Sequence, residues 1–375
     1  MIQLQKRRLY VLYSGSLLTY FLIIFFIFLF LIQAKGCMQA AYNALVMCAQ
    51  SVIPSLFPFF VLSGLLMQTG FVQVAGALLS PLVKPLFRIS GRGALVFLIG
   101  IISGYPTGAK MTADLYKESL IDRSEGRKLL PFCNNSGPLF IIGAVGSGMF
   151  GNVQIGIFLY LIHLLAALLV GLCFRFCGTA EKRSPLSVRT AIGRELRGYY
   201  GTENKHTVSE CVANAVQTTL LICGFIIFFA AMTECFRPML ELIPSESARL
   251  LIGGALEITS GIHRVCTSGL LLSQKLIFIS GLLGFGGICV HLQVFGVLSG
   301  TKLGMKNYLF GKLIHALFSA VLCAIMLRLI PFELVTVWKQ NAAEIKYFIP
   351  PWQMVLLGAV LFVFFIKKAA IFRKK

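Results

Sequence analysis

Two apolar stretches of this sequence are interrupted by residues that a lipid-facing helix should not contain. The first reads GIISGYPTGAK at residues 100–110, and the second reads PFCNNSGP at residues 131–138. Pro106 removes a backbone donor, whereas Gly104 and Gly108 permit non-helical turns. Unpaired backbone groups are costly in hydrocarbon, so broken helices persist at membrane depth only where they are buried in protein or line a cavity. These stretches therefore predict a solute-binding site, and a water-exposed loop between ordinary helices is the simpler alternative.

Composition indicates that the chain is embedded in a lipid bilayer. Of its 375 residues, 57% are hydrophobic and only 13% are charged, whereas a soluble domain has about 25% charged residues. A net charge of +20 would suggest nucleic acid as the partner of a soluble protein. Here the basic residues lie mostly in short segments beside apolar spans, where they determine topology. We therefore expect no nucleic-acid partner.

Residue patterns typical of metal sites and enzymes are absent from the sequence. Eleven cysteines and five histidines form no CxxC pair, no HExxH motif and no ligand cluster, so we expect neither a metal nor a cofactor. Paired aspartates, a GxSxG motif and a nucleotide-binding loop are also missing. An intramembrane enzyme is accordingly the weakest of the functional alternatives, and we predict that the protein is not an enzyme.

The apolar runs predict an all-α polytopic membrane protein with about eight transmembrane helices and two re-entrant or broken segments. The predicted spans cover residues 9–32, 44–69, 131–149, 153–176, 208–236, 275–299, 313–330 and 352–366. One re-entrant segment ends near residue 110 and is followed by a charged helix at 113–130. The other, at 250–262, is expected to break at Gly253-Gly254 and Ser260-Gly261. Most Lys and Arg residues, including Lys302, Lys306 and Lys312, then face the cytoplasm with both termini.

Two halves flank a basic loop and resemble each other weakly. The tripeptide LIH occurs at 161–163 and 313–315, and GAL occurs at 93–95 and 254–256, in the same order. Each half contributes three spans, so the copies must be inverted, as in many secondary transporters. The predicted divisions are an amino-terminal helix and flank at 1–40, a first repeat at 41–177, a cytoplasmic loop at 178–207, a second repeat at 208–330, and an external loop, last span and basic tail at 331–375.

Four motifs in order carry a family resemblance. They are PSLFP at 54–58, SGYPTGAK at 103–110, CNNSGP at 133–138 and LEITSG at 256–261. Together they resemble the YlbJ-type sporulation integral membrane proteins, which belong to the nucleoside-recognition (Gate) domain family. The resemblance covers about residues 43–330 and implies an architecture similar to that of concentrative nucleoside transporters.

The resemblance also implies a function and a location. Sporulation members of the family are linked to the movement of dipicolinate, a flat dicarboxylate, across the membrane around the developing spore. It implies a multi-pass protein of the bacterial inner membrane, with the outer forespore membrane as a specific site. A nucleoside transporter and a non-transporting scaffold or sensor of spore cortex or envelope assembly are the alternatives.

Polar residues at the breaks are the candidates for binding a small-molecule substrate. A helix beginning near Pro138 would direct free N–H groups and a positive dipole end at the site, which favours an anion. Lys110 could pair with a carboxylate, and the carboxylate of Glu257 is unusual in an apolar run. The candidate substrate-binding residues are Ser103, Gly104, Tyr105, Thr107, Gly108, Lys110, Asn134, Asn135, Ser136, Glu257, Thr259 and Ser260.

Each candidate also has a structural interpretation. Lys110 could be a snorkelling interfacial lysine, and Asn134 and Asn135 could be helix caps. Glu257 could accept a proton, pair with Lys110, Arg264 or a coupling cation, or merely satisfy a neighbouring break. A coupling proton or cation is thus an open alternative as a second partner, and no residue pattern specifies an oligomeric state.

Two histidines occupy matching places in the halves. His163 and His315 both follow Leu-Ile and precede an apolar run. Because histidine titrates near neutral pH, both could carry protons. A histidine between packed helices more often bonds a backbone carbonyl, and this is the structural interpretation of the pair.

Overall fold

A computed structural model of the chain describes residues 20–67, 80–177 and 207–329, except for Leu22 and Leu82. The start of the first predicted span, most of the basic loop, the external loop and the last span lie outside the described residues. The described residues are mostly helical and contain no strand. The described helices, as far as Arg328, belong to one compact unit. The all-helical class predicted from sequence is confirmed for this part of the chain.

The helices differ widely in length, and several pairs are separated by only a few residues. The first half contains α1 (Ile23–Ile32), α2 (Ala34–Met47), a π-helical turn (Cys48–Val52), α3 (Ile53–Met67), α4 (Gly91–Ser103), α5 (Thr107–Lys117), α6 (Arg123–Cys133), a π-helix (Leu139–Met149) and α7 (Val153–Phe174). The second half contains α8 (Val208–Cys235), α9 (Arg237–Glu241), α10 (Glu246–Leu256), α11 (Ile258–Thr267), α12 (Leu272–Phe285), α13 (Gly287–Leu298) and α14 (Met305–Leu329).

Length and apolar character identify the segments that can cross a membrane. Within the described ranges, 4 helical segments qualify: α7, α8, α12 with α13, and α14. The number becomes 5 if α1 and α2, which meet at 94°, are one span. The two shorter apolar helices, α4 and the π-helix, fall below this length. The structure therefore supports a multi-pass membrane protein, and the predicted total of about eight spans is not confirmed.

One predicted element of the first half is wrong, and one predicted interruption is observed. The charged helix expected at 113–130 is two helices, because α5 ends at Lys117 and Asp122 starts α6 by accepting a hydrogen bond from the Glu125 N–H at 2.7 Å. Ser119, in the turn between them, has a left-handed φ of 57°. The break predicted within the span at 131–149 is present, since residues 134–138 separate α6 from the π-helix.

Two corrections also apply to the second half. The re-entrant segment breaks at Glu257, and not at the Gly253-Gly254 or Ser260-Gly261 pairs, because α10 ends at Leu256 and α11 begins at Ile258. Helix α14 begins at Met305, eight residues before the predicted span. Lys312 is therefore inside a membrane-spanning helix, where it is fully buried, and not in the cytoplasmic loop to which its charge assigned it.

Polar side chains at the helix starts explain several boundaries. Ser90, Asn152 and Ser245 accept hydrogen bonds from backbone N–H groups in the first turns of α4, α7 and α10. At α8, the Thr207 hydroxyl accepts from the Glu210 N–H while the Glu210 carboxylate accepts from the Thr207 N–H. This reciprocal capping box pairs two backbone donors that the helix itself leaves free.

Removing the α8 cap should cost a modest amount of stability. We expect Thr207→Ala to lower the free energy of unfolding by about 1 kcal/mol, since an alanine cannot accept from the N–H group. Thermal unfolding of the purified protein in detergent measures the change. Ser209→Ala, at an exposed position of the same turn, is the control, and an equal loss in both variants would contradict the capping role.

A buried apolar cluster holds the first set of broken helices together. It joins α4, α5, α6 and α7, and it leaves the ends of α4 and α6 adjacent to each other. The buried members are Phe87, Ile89, Leu95, Val96, Ile99, Met111, Leu115, Ile121, Leu129, Phe132, Cys133, Val170 and Phe174. Helix α8 packs against α2 and α3 on one side and against α13 on another. This packing fixes where the helix breaks lie.

Candidate functional site at the helix breaks

The first break, between α4 and α5, crosses the second break, between α6 and the π-helix. Gly104 ends α4 with φ 91° and ψ −174°, a conformation that other residues rarely adopt. A β-carbon added to Gly104 would lie 2.9 Å from the backbone nitrogen of Gly137. The two backbones can approach this closely only because both residues lack side chains. The two stretches identified from sequence thus meet in the structure.

The second break is buried and is bonded to three different helices. Asn134, Asn135 and Ser136 are at most 1% exposed. Asn134 accepts from the Ala109 N–H of α5 at 3.4 Å and donates to the Tyr308 hydroxyl of α14 at 3.3 Å. The Ser136 N–H donates to a histidine of α7 at 3.1 Å, and the Asn135 amide donates to the Phe132 carbonyl at 2.7 Å. These polar residues replace the helical hydrogen bonds that the break loses.

The third break, at Glu257, is capped by its own side chain. The two carboxylate oxygens accept from the N–H groups of Thr259 and Ser260 at 2.9 Å and 2.7 Å. Glu257 forms no ion pair with Lys110 or Arg264 in the described residues, and Arg264 lies 3.9 Å from Glu234 instead. The buried carboxylate of Glu257 therefore stabilises the start of α11, which was its structural interpretation from sequence.

The fourth break, at Gly286, connects the first break to the third. The Tyr105 hydroxyl donates to the Leu283 carbonyl at 2.7 Å, and a β-carbon on Gly286 would lie 3.2 Å from that hydroxyl. A β-carbon on Gly287 would lie 3.3 Å from the Ile258 nitrogen. Four helix breaks from both halves of the chain are therefore in direct contact.

A buried basic cluster lies against these breaks. Lys312 Nζ is 3.3 Å from His315 Nδ1, and His315 Nε2 is 3.0 Å from the His163 carbonyl oxygen. The two imidazole rings stack with centroids 4.5 Å apart. Because the carbonyl can only accept, His315 carries a proton on Nε2, and its Nδ1 can accept from Lys312. His315 thus bonds a backbone carbonyl between packed helices, as its structural interpretation required.

Several predicted site residues have buried polar atoms without a hydrogen-bond partner in the described part of the chain. These atoms are the hydroxyl oxygens of Ser103, Thr107 and Ser260 and the amide oxygen of Asn135. Buried polar groups are nearly always paired with protein or with bound molecules. All four residues flank a break, so the unpaired atoms mark the region where a polar ligand could bind.

Lys110 faces a different region from the other candidates. Its ammonium forms an ion pair with Asp114 at 3.0 Å, and both line a cavity of about 470 Å³ together with Asn214 and Gln217 of α8. Lys110 therefore lies apart from the residues at which the breaks contact one another. Gly108 has a packing role, since a β-carbon added to it would collide with the backbone carbonyl of Cys133. Thr259 contributes a backbone donor to the Glu257 cap.

Three buried residues near the breaks were not singled out from sequence as site residues. Tyr308 and Lys312 lie four residues apart on α14, and His291 of α13 is 3.2 Å from the Tyr308 hydroxyl. Tyr308, Lys312 and His315 follow the i, i+4, i+7 spacing of one helix face. That spacing could have identified the three residues as one helix face. The predicted span began at residue 313, however, so the face was divided between a loop and a helix.

The fold and this site define a class: multi-pass helical membrane proteins in which broken helices enclose a buried polar region. Comparison with known proteins supports the assignment to integral membrane proteins. The family described as "Nucleoside recognition" matches residues 49–181, which include the first two breaks. Sporulation integral membrane protein YlbJ of Bacillus subtilis (strain 168) is 36% identical over 326 residues, covering 79% of this chain and 80% of the relative.

At this identity and coverage, the chain belongs to the family of YlbJ sporulation integral membrane proteins. The resemblance inferred from the four sequence motifs is therefore confirmed. No solved structure matches the chain.

Proposed function

We propose that the protein is a non-enzymatic membrane transporter of a small organic solute, and that the solute is an anion such as dipicolinate. The observation that carries the proposal is the contact between four helix breaks around buried, unpaired polar atoms. Irregular backbone at membrane depth is stable only inside protein or beside a cavity, and discontinuous helices commonly form the substrate sites of secondary transporters.

An inverted repeat supports transport by alternating access. The order of elements is the same in the two halves: a break between α4 and α5 or α10 and α11, a break between α6 and the π-helix or α12 and α13, and then α7 or α14. The stacked His163 and His315 lie on the two corresponding spans. We infer that one repeat rocks against the other around the breaks, with an architecture similar to that of concentrative nucleoside transporters.

The sporulation context supports the choice of substrate and membrane. The name of the Bacillus subtilis relative assigns that protein to sporulation, and dipicolinate is the anion that the family resemblance implies. We propose that this chain resides in a bacterial inner membrane, specifically the outer forespore membrane, with both termini in the cytoplasm.

Uptake into proteoliposomes tests the proposal. We expect the purified protein to take up labelled dipicolinate saturably, with little competition from nucleosides. Uptake of nucleosides alone would support a transporter whose solute is a nucleoside and not dipicolinate. The match to the nucleoside-recognition family is the reason for testing this alternative. If folded protein transports neither, the scaffold or sensor alternative replaces the transporter.

Thr107→Val separates a binding role from a structural one. The Thr107 hydroxyl is buried without a partner in the described residues, so its removal should preserve or raise thermal stability. If the hydroxyl binds substrate, transport should nevertheless fall several-fold, as expected for the loss of one hydrogen bond. Thr267→Val, which removes an exposed hydroxyl at the end of α11, is the control. Unchanged transport in Thr107→Val would remove this residue from the site.

A further inference from the structure

We propose that Lys312 is the residue that binds a carboxylate group of the transported solute. This inference rests on the proposed function, because it names the charged contact of that same site. It replaces Lys110, which the sequence favoured for this role. The chemistry that Lys312 recognises is a small carboxylate-bearing molecule.

The first argument is the position of the ammonium group. Lys312 is 0% exposed, and its Nζ lies 5.1 Å from the centre of the Tyr105 ring, in the first break. Its neighbour on α14, Tyr308, receives a hydrogen bond from Asn134 of the second break. The lysine therefore extends from a membrane-spanning helix to the point where the two breaks of the first half cross.

The second argument is that the described residues place no anion beside this cation. Among the described residues, no carboxylate lies within ion-pair distance of Lys312. Its Nζ lies beside Nδ1 of His315 and the aromatic face of Tyr105. Burial of a charge without an opposite charge is unfavourable, and ionisable residues inside a membrane segment mark substrate pathways. A bound carboxylate would compensate this charge.

The third argument is that the surroundings favour an anion in other ways. Helix α5 begins at Thr107, two residues after Tyr105, so the positive dipole end of this helix lies beside the first break. The Thr107 hydroxyl is buried without a partner in the described residues and can donate a hydrogen bond. An ammonium, a helix start and a hydroxyl donor together match the oxygens of a carboxylate.

Lys110 provides the comparison. It is a cation of the same type on the helix that follows the first break, but Asp114 already compensates its charge at 3.0 Å. The two lysines thus make opposite predictions. Loss of Lys312 should remove anion binding, whereas loss of Lys110 should leave it nearly unchanged.

The test measures binding of two probes with the same shape, dipicolinate and its uncharged diamide, to purified full-length protein. We expect wild type to prefer dipicolinate, and Lys312→Met to weaken dipicolinate binding by about 10- to 100-fold with little effect on the diamide. Lys110→Met should retain the preference, as should the control Lys306→Met, which removes an exposed lysine from the same helix. Lys312→Arg, which keeps the charge, should recover part of the loss.

The outcomes separate this inference from the proposed function. Wild-type affinity for dipicolinate in folded Lys312→Met would overturn the role of Lys312 while leaving the transporter in place. If Lys312→Met does not fold, Lys312→Gln, which can still donate to His315, replaces it in the same comparison. If folded Lys312→Gln loses affinity for both probes alike, the role of Lys312 is structural. This result would also overturn the inference. Wild-type protein that binds neither probe would contradict the anionic substrate itself.

Discussion

Gly104→Ala is expected to prevent the two broken segments of the first half from crossing, and thereby to abolish transport. The backbone of Gly104, at φ 91° and ψ −174°, lies in a region that costs about 1–3 kcal/mol for a residue with a side chain. The new methyl group would also lie 2.9 Å from the Gly137 nitrogen, so the second break would have to move away. Strain and displacement act together, and we expect a large loss of folded protein.

Detergent-solubilised yield, thermal unfolding and uptake measure the effect of this substitution. The control is Gly269→Ala, the same change at an exposed glycine where an added β-carbon meets no atom within 4 Å. We expect Gly269→Ala to match wild type in all three measurements. A Gly104→Ala variant as stable and active as this control would show that the crossing does not exist.

The first-half breaks were predictable because their signals are local. Pro106, Gly104 and the Asn-Asn-Ser-Gly-Pro run act on the backbone within a few residues, through lost donors and permitted turns. The bounds of α7 and α8 were similarly close to prediction, since each is a continuous apolar run bounded by a polar cap at Asn152 or Thr207. Elements of this kind need no long-range information.

The position of Lys312 was not predictable in the same way. A lysine near the end of an apolar run is ordinarily a topological charge, and only the contact between α14 and the first break, 207 positions earlier at Tyr105, reveals its burial. Lys110 is the opposite case. It belongs to a conspicuous motif, but the periodicity of α5 places Asp114 one turn away, where it compensates the charge.

The third break was predicted in the right region but at the wrong residues. Gly-Gly and Ser-Gly dipeptides are strong turn signals. The break was therefore predicted at the two dipeptides that lie on either side of Glu257. Glutamate is not among the preferred N-cap residues, so nothing local identified its carboxylate as the start of α11. Its extended backbone, with φ −139° and ψ 118°, allows the side chain to reach both N–H groups.

The same geometry makes Glu257→Ala the second substitution with a large expected effect. Both carboxylate oxygens are used by backbone donors of α11, and the residue is 4% exposed. Alanine would leave two part-buried N–H groups unpaired, at a cost of up to about 1–3 kcal/mol for each group. We expect a marked loss of thermal stability, and of transport with it, because the start of α11 contacts the other breaks.

Glu257→Asp distinguishes this capping role from direct binding of substrate or of a coupling ion. Aspartate is a preferred N-cap, so we expect it to restore most of the stability and most of the transport lost in Glu257→Ala. Glu246→Ala, which removes an exposed carboxylate from the first turn of α10, is the control and should cost only about 0.3–1 kcal/mol. If Glu257→Asp is stable but inactive, the carboxylate contacts the transported species, and capping explains only part of its function.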